Sequence, residues 1–265
     1  FNVHMVYAVS RDAYIGAFDS GGQTALGVQT ENSRQWFYIY TAQQRLESYY
    51  RLPVLAYERP VHSVGIVING VKGGVTYMRE PISGPNFAFT GYVYGGREMS
   101  MGTFIHETSG HAFGLLGDEY STSGFDPGQP FEIPDYEATR LRNEQKKGWY
   151  LNLSLTSDPK SVYWAHLIGH PRYPYVGVLQ GGYYYAFGVW RSESYSLMEN
   201  STNFYFNTIC RELIVRRIMA LTGEEYTFDK FLAKDSDKDR PNLSKSRSQQ
   251  IKDQERRHQP PIIGE

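Results

Sequence analysis

The sequence predicts an α/β (α+β) domain: a mixed twisted sheet with one helix that carries the chemistry. Three observations predict it. Val64-Gly65-Ile66-Val67-Ile68 is apolar nearly throughout and reads as a short buried strand over Val61 to Asn69. A second strand pattern follows at Gly73 to Met78, and a helix bearing two histidines starts at Phe104. With the helical pattern before them, these segments give helix, strand, strand, helix, an α/β layer order.

Taken in order, Val3 to Ser10 alternates enough to read as a strand, and Gly16 to Gly27 reads as a glycine-rich loop. From Ser33 to Tyr50, the residues Trp36, Phe37, Tyr40, Leu46 and Tyr50 recur at near-helical spacing, and Pro53 ends the run. Glycines at the start of Gly73 to Met78 would admit the close approach of another backbone. That segment reads equally as an edge strand pairing with an extended peptide or as an interior strand. Asp118 to Pro134 is a Gly- and Pro-rich loop. Asp135 to Lys147 reads as a polar helix capped by Asp135 and stopped by Gly148. Trp149 to Gly188 is dense in aromatics and turns; His166 and His170 within it read as packing or surface residues. Asn207 or Thr208 caps a helix from Ile209 to Leu221, with Leu213, Ile214, Ile218 and Leu221 on one face and Gly223 beyond. Lys234 to Arg257 has a disorder-type composition, and His258 to Ile263 reads as an extended pin on the domain. The expected organisation is one domain over 1–265: 1–60 as first sheet part and helix, 61–120 as core strands and histidine helix, 121–233 as a C-terminal subdomain, and 234–265 as a packed tail.

A net charge of −1 and a pI near 6.7 give no basic surplus for nucleic acid or an anionic membrane. The 22 tyrosines suit a rigid, partly polar cleft. Cys210, the single cysteine, has no internal disulfide partner and reads as core. No apolar run approaches the about 18 residues that a membrane span needs. The opening at Phe1 without methionine is expected of a mature or trimmed chain.

The chemistry concentrates between Phe104 and Tyr120. His106, Glu107, His111, Asp118 and Glu119 are the residue types of a zinc hydrolase site: two imidazoles and a carboxylate on the ion, and a second carboxylate to take a proton from water. Asp118 is the favoured third ligand and Glu119 a partner that orients a ligand. His106 and His111 are five apart, where the common motif has four. A regular α-helix would splay such a pair by roughly 140°. A π-bulge repairs the geometry, and Gly110 is placed to absorb it. Gly114 and Gly117 are expected to stop the helix in left-handed conformation.

With these residues in hand, the chain resembles the bacterial IgA-peptidase-type zinc metallopeptidases, a secreted or surface metzincin-like family. The likeness rests on the His-Glu helix running into Leu116-Gly117-Asp118-Glu119-Tyr120, on Gly148 to Asn152, and on Gly181-Gly182 leading to Gly188-Val189-Trp190-Arg191. Ser196-Leu197-Met198 resembles a methionine turn, in which Met198 would floor the metal. Glu193, Ser194, Phe206-Asn207 and Arg211-Glu212 extend the likeness, which spans roughly Val61 to Phe231. It implies a zincin-like catalytic domain, His106, His111 and Asp118 as Zn2+ ligands, Glu107 as general base, protein or peptide substrates, and a secreted, periplasmic or cell-surface location. Two positions depart from the pattern: the five-residue histidine spacing and Gln180, where relatives often carry Glu. Tyr120, Arg191 or one of Tyr183 to Tyr185 would steady the oxyanion. The rival reading is a surface binding module for glycan or host protein whose zinc is structural, closed by a fourth ligand such as Glu119.

Overall fold

A computed structural model describes residues 3–12, 16–17, 24–26, 28–30, 37–39, 47–52, 60–69, 74–78, 85–92, 97–122, 130–235 and 262–263. The fold is mixed α and β, with small sheets and several helices. The chain divides into two compact units, Phe1–Phe113 with His258–Glu265, and Gly114–Arg257.

In the first unit, β1 (Gly16–Ala17), β2 (Val28–Thr30) and β3 (Phe37–Ile39) form a small sheet, β1 parallel and β3 antiparallel to β2. The helix expected from Ser33 is corrected here. Phe37, Tyr38 and Ile39 are strand, and helix occurs only at 47–52 among the described residues of that stretch. Aromatic and β-branched residues fit a pleated surface, and pairing with β2 overrides their near-helical spacing. Pro53, expected to end the helix, lies outside the described residues. Residues 3–10, read as a strand, have no regular structure, and Val3, Met5 and Tyr7 are largely exposed.

The second sheet of this unit runs β10-β5-β6-β4. β4 is Ser63–Asn69, β5 is Gly74–Met78, β6 is Asn86–Tyr92 and β10 is Ile262–Ile263. β4 lies parallel to β6, β5 antiparallel to β6, and β10 parallel to the end of β5. β5 is therefore internal, the second of its two readings, with Ile262 and Ile263 opposite Tyr77 and Met78. Within β4, Ile66 is buried while Val67 is exposed, so this strand is covered on one side and not throughout as its apolar run suggests. Helix α1 (Arg97–Ile105) continues into a π-helix, His106–Phe113, which packs on β4, β5 and β6. Two glycines make room for it: a Cβ on Gly65 would meet Thr108 Cγ2 at 2.8 Å, and one on Gly74 would meet Glu107 Cγ at 2.6 Å.

The second unit holds α2 (Asp135–Lys146), β7 (Leu153–Ser154), β8 (Leu179–Gly182), β9 (Tyr185–Arg191), α3 (Thr208–Thr222) and α4 (Phe228–Lys234). The strands form an antiparallel sheet in the order β7-β9-β8. Leu116, Trp164, Tyr173, Met198, Cys210 and Phe231 are among the buried residues of its core. Asp135 is the first residue of α2 and not its cap, because Pro134 occupies the cap position and fixes the entry. Asn207 caps α3 by accepting from the Cys210 amide, and Gly223 closes it at φ 73°. Leu213 and Met219 are buried on α3, whereas Leu221 is exposed. His166 bonds Glu212 Oε2 at 2.8 Å and lies edge-on to Phe228, a packing role. The segment Lys234 to Arg257 lies outside the described residues beyond Asp235. Among the described residues, no helix is long and apolar enough to cross a membrane.

Candidate metal centre

The π-helix is the geometry that the five-residue histidine spacing demands. Its wider turn brings residues five apart back to one side, and the His106 and His111 Nε2 atoms stand 3.0 Å apart with the rings nearly perpendicular. At the α-to-π junction, where the hydrogen-bond step changes, the Thr108 hydroxyl donates to the Phe104 carbonyl at 2.5 Å. Farther along, Asn86 Nδ2 donates to the Ala112 carbonyl at 2.9 Å. Both histidines and Glu107 are fully buried. Two buried imidazole nitrogens this close repel unless one carries a proton toward the other or a cation lies between them.

The helix stops through Leu115, which takes φ 57°, so the left-handed residue is neither Gly114 nor Gly117. The Leu115 carbonyl is held by the Tyr150 amide at 2.7 Å. Gly117 serves packing instead, since a Cβ there would meet Leu153 Cδ1 at 2.6 Å. Asn152 clamps this glycine on both sides: Oδ1 accepts from its N–H at 2.8 Å and Nδ2 donates to its C=O at 2.9 Å. Along the one continuous stretch from 106 to 118, His106, His111 and Asp118 each offer a buried ligand atom, all within 4.8 Å of one another. Metal–nitrogen bonds of about 2.0 Å in a tetrahedron place ligand atoms roughly 3.3 Å apart. The histidine pair already matches that spacing, and two imidazoles with one carboxylate are a donor set suited to a divalent cation.

Glu107 faces β5. The Thr76 hydroxyl donates to Glu107 Oε2 at 2.6 Å and lies 3.1 Å from the Glu107 carbonyl. Thr76 was not identified from the sequence, although its two-residue offset from Gly74 places both on the strand face turned to the helix. Glu119, fully buried, is engaged elsewhere: Asn207 Nδ2 donates to its two oxygens at 3.0 and 2.8 Å, Asn152 Nδ2 to Oε1 at 3.0 Å, and the Cys210 thiol contacts Oε1 at 3.4 Å. Its N–H donates to the Met198 carbonyl at 2.8 Å. Burial raises its pKa against the pull of these donors.

Met198 is fully buried in the core of the second unit, within a turn whose amide donates to Ser196 Oγ at 3.1 Å. Arg191 braces the β8–β9 hairpin, with Nη1 donating to the Gly181 and Gln180 carbonyls at 2.7 and 3.1 Å. Tyr120 is buried edge-on to Tyr184, with centroids 5.3 Å apart. Tyr184 donates its hydroxyl hydrogen to Asp118 Oδ2. Burial, and then the nearby Asp118 carboxylate, push the Tyr184 phenol well above its ordinary pKa, so it is a donor. Tyr183 and Tyr184 both adopt positive φ, 50° and 73°, in the two-residue turn that the Gly182–Tyr185 pair closes. Each such non-glycine residue costs about 1–2 kcal/mol.

Compared with models of known protein families and with curated proteins, the chain matches none.

Proposed function

We propose that the chain is a zinc-dependent peptidase of the metzincin-like kind, in which His106, His111 and Asp118 hold the ion and Glu107 serves as general base. The observation that carries the reading is the buried ligand group assembled on a π-helix, with the carboxylate of Glu107 beside it in sequence and fixed by Thr76. Zinc, when bound there, would lower the pKa of a water toward about 7 and polarise a scissile carbonyl. Glu107 takes the proton of the attacking water and returns it to the leaving amine. Thr76 holds one oxygen of Glu107 and so limits the rotation of the carboxylate. The engagement of Glu119 by Asn152, Asn207 and Cys210 favours a three-ligand arrangement over a closed four-ligand one, and so favours hydrolysis over a purely structural zinc. The sequence resemblance supports proteins or peptides as substrates.

The test is metal analysis of the purified protein followed by digestion of a peptide library with and without chelator. Zinc at one equivalent and chelator-sensitive cleavage are expected. Glu107→Gln should keep the metal and lose about 10²- to 10⁴-fold in kcat. A metal-loaded wild-type protein that cleaves nothing in the library, or a Glu107→Gln variant of full activity, overturns the reading.

A further inference from the structure

We infer that Tyr184 is a positioning residue for the metal centre: its phenol bonds Asp118 Oδ2 and so fixes the orientation of the carboxylate that would meet the ion. The inference rests on the assignment of Asp118 as a metal ligand.

Two-residue hairpin turns with positive φ at both central residues are the preserve of Asn and Gly, because a Cβ is disfavoured there. Here both places are taken by tyrosines, at φ 50° and 73°, directly after Gly181 and Gly182, which also have positive φ. A turn that needed only to reverse the chain would gain from glycine or asparagine. Strain of this kind persists where the surroundings fix it and the side chain is put to use.

The surroundings do fix it. The Tyr183 amide donates to the Asp118 carbonyl at 2.9 Å, the Tyr184 amide to the Tyr120 carbonyl at 3.0 Å, and the Thr122 amide to the Tyr184 carbonyl at 3.0 Å. The turn is thus threaded along the 118–122 segment by main-chain bonds, and the phenol closes the same link by bonding Asp118 Oδ2. A carboxylate with one oxygen engaged by a donor is held in rotation about its last bond. It therefore presents a defined oxygen to a cation, the role that partners of ligating carboxylates play generally. The same engagement removes the Tyr184 hydroxyl from the candidates for steadying an oxyanion.

The full-length protein, made metal-free by chelator and then titrated with Co2+, tests this. Affinity is read by competition with a chelator, and ligand geometry by the visible absorption of the cobalt ion. Tyr184→Phe, which keeps the ring and loses only the hydroxyl, should bind Co2+ about 10- to 100-fold more weakly with an altered absorption band. Wild-type affinity and an unchanged band in Tyr184→Phe overturn the inference and leave the peptidase reading standing. A wild-type protein that takes up no Co2+ overturns both. Absence of peptide hydrolysis in a protein that binds Co2+ as described sinks the peptidase reading alone.

Discussion

As a base, Glu107 would need its carboxylate held in one orientation, and the Thr76 hydroxyl is a group that holds it. Thr76 Oγ1 lies 2.6 Å from Glu107 Oε2, and Gly74, two residues earlier on the same strand, leaves space that any side chain would take from the Glu107 stem. A hydrogen bond to a charged group contributes about 1.5–3 kcal/mol. Thr76→Val preserves shape and removes the donor. It is expected to lower kcat for peptide cleavage by about tenfold or more with KM little changed. In a Glu107→Gln background the same substitution should add almost nothing, because the two residues act as a unit. Steady-state kinetics on the four proteins of that cycle decide it; equal losses in both backgrounds would assign Thr76 a role apart from Glu107.

At the scale of elements, the segment that leaves the π-helix is held by side chains that arrive from far along the chain. Asn152 supplies three bonds at once, two to Gly117 and one to Glu119, and is itself fully buried. Asn152→Ala leaves an amide, a carbonyl and part of a carboxylate buried without those partners, and should cost about 2–4 kcal/mol in urea unfolding. This explains what could and could not be read from sequence. The π-helix was legible because two histidines five residues apart can meet one ion only on a widened turn. Residues 37–39 were not, since Phe, Tyr and Ile suit either element and the deciding contact is the pairing with Val28–Thr30. Thr76, Asn152 and Tyr184 sit 31, 35 and 66 residues from the groups they orient. No local pattern marks such partners; only the fold brings them in. Asn152 and the Gly-Gly before Tyr183 do fall within the stretches that carry the family resemblance, which is the one signal that touched them.

For the molecule as a whole, the pH dependence of stability should carry the mark of Glu193. This side chain is 2% exposed, and its Oε1 accepts from the Thr208 amide at 2.7 Å in the first turn of α3. Burial pushes its pKa up to about 7 from an ordinary 4.5, against the pull of Thr208 and Arg211 and with a push from Glu119. Between those values the folded chain binds a proton that the unfolded chain has released. The stabilisation is therefore complete below about pH 4.5 and is lost as pH rises through about 7. The size is on the order of 3 kcal/mol. Glu193→Gln should flatten this slope in urea unfolding of the metal-free protein; an unchanged slope would place the proton elsewhere.

The lone thiol of Cys210 lies at zero exposure beside Glu119, on the helix that Asn207 caps. Burial and the neighbouring carboxylate keep it in the unreactive thiol form. An alkylating reagent can therefore reach it only while this part of the chain breathes open. The rate at which the protein is alkylated becomes an intrinsic stopwatch for that opening, readable by mass spectrometry with no label engineered in.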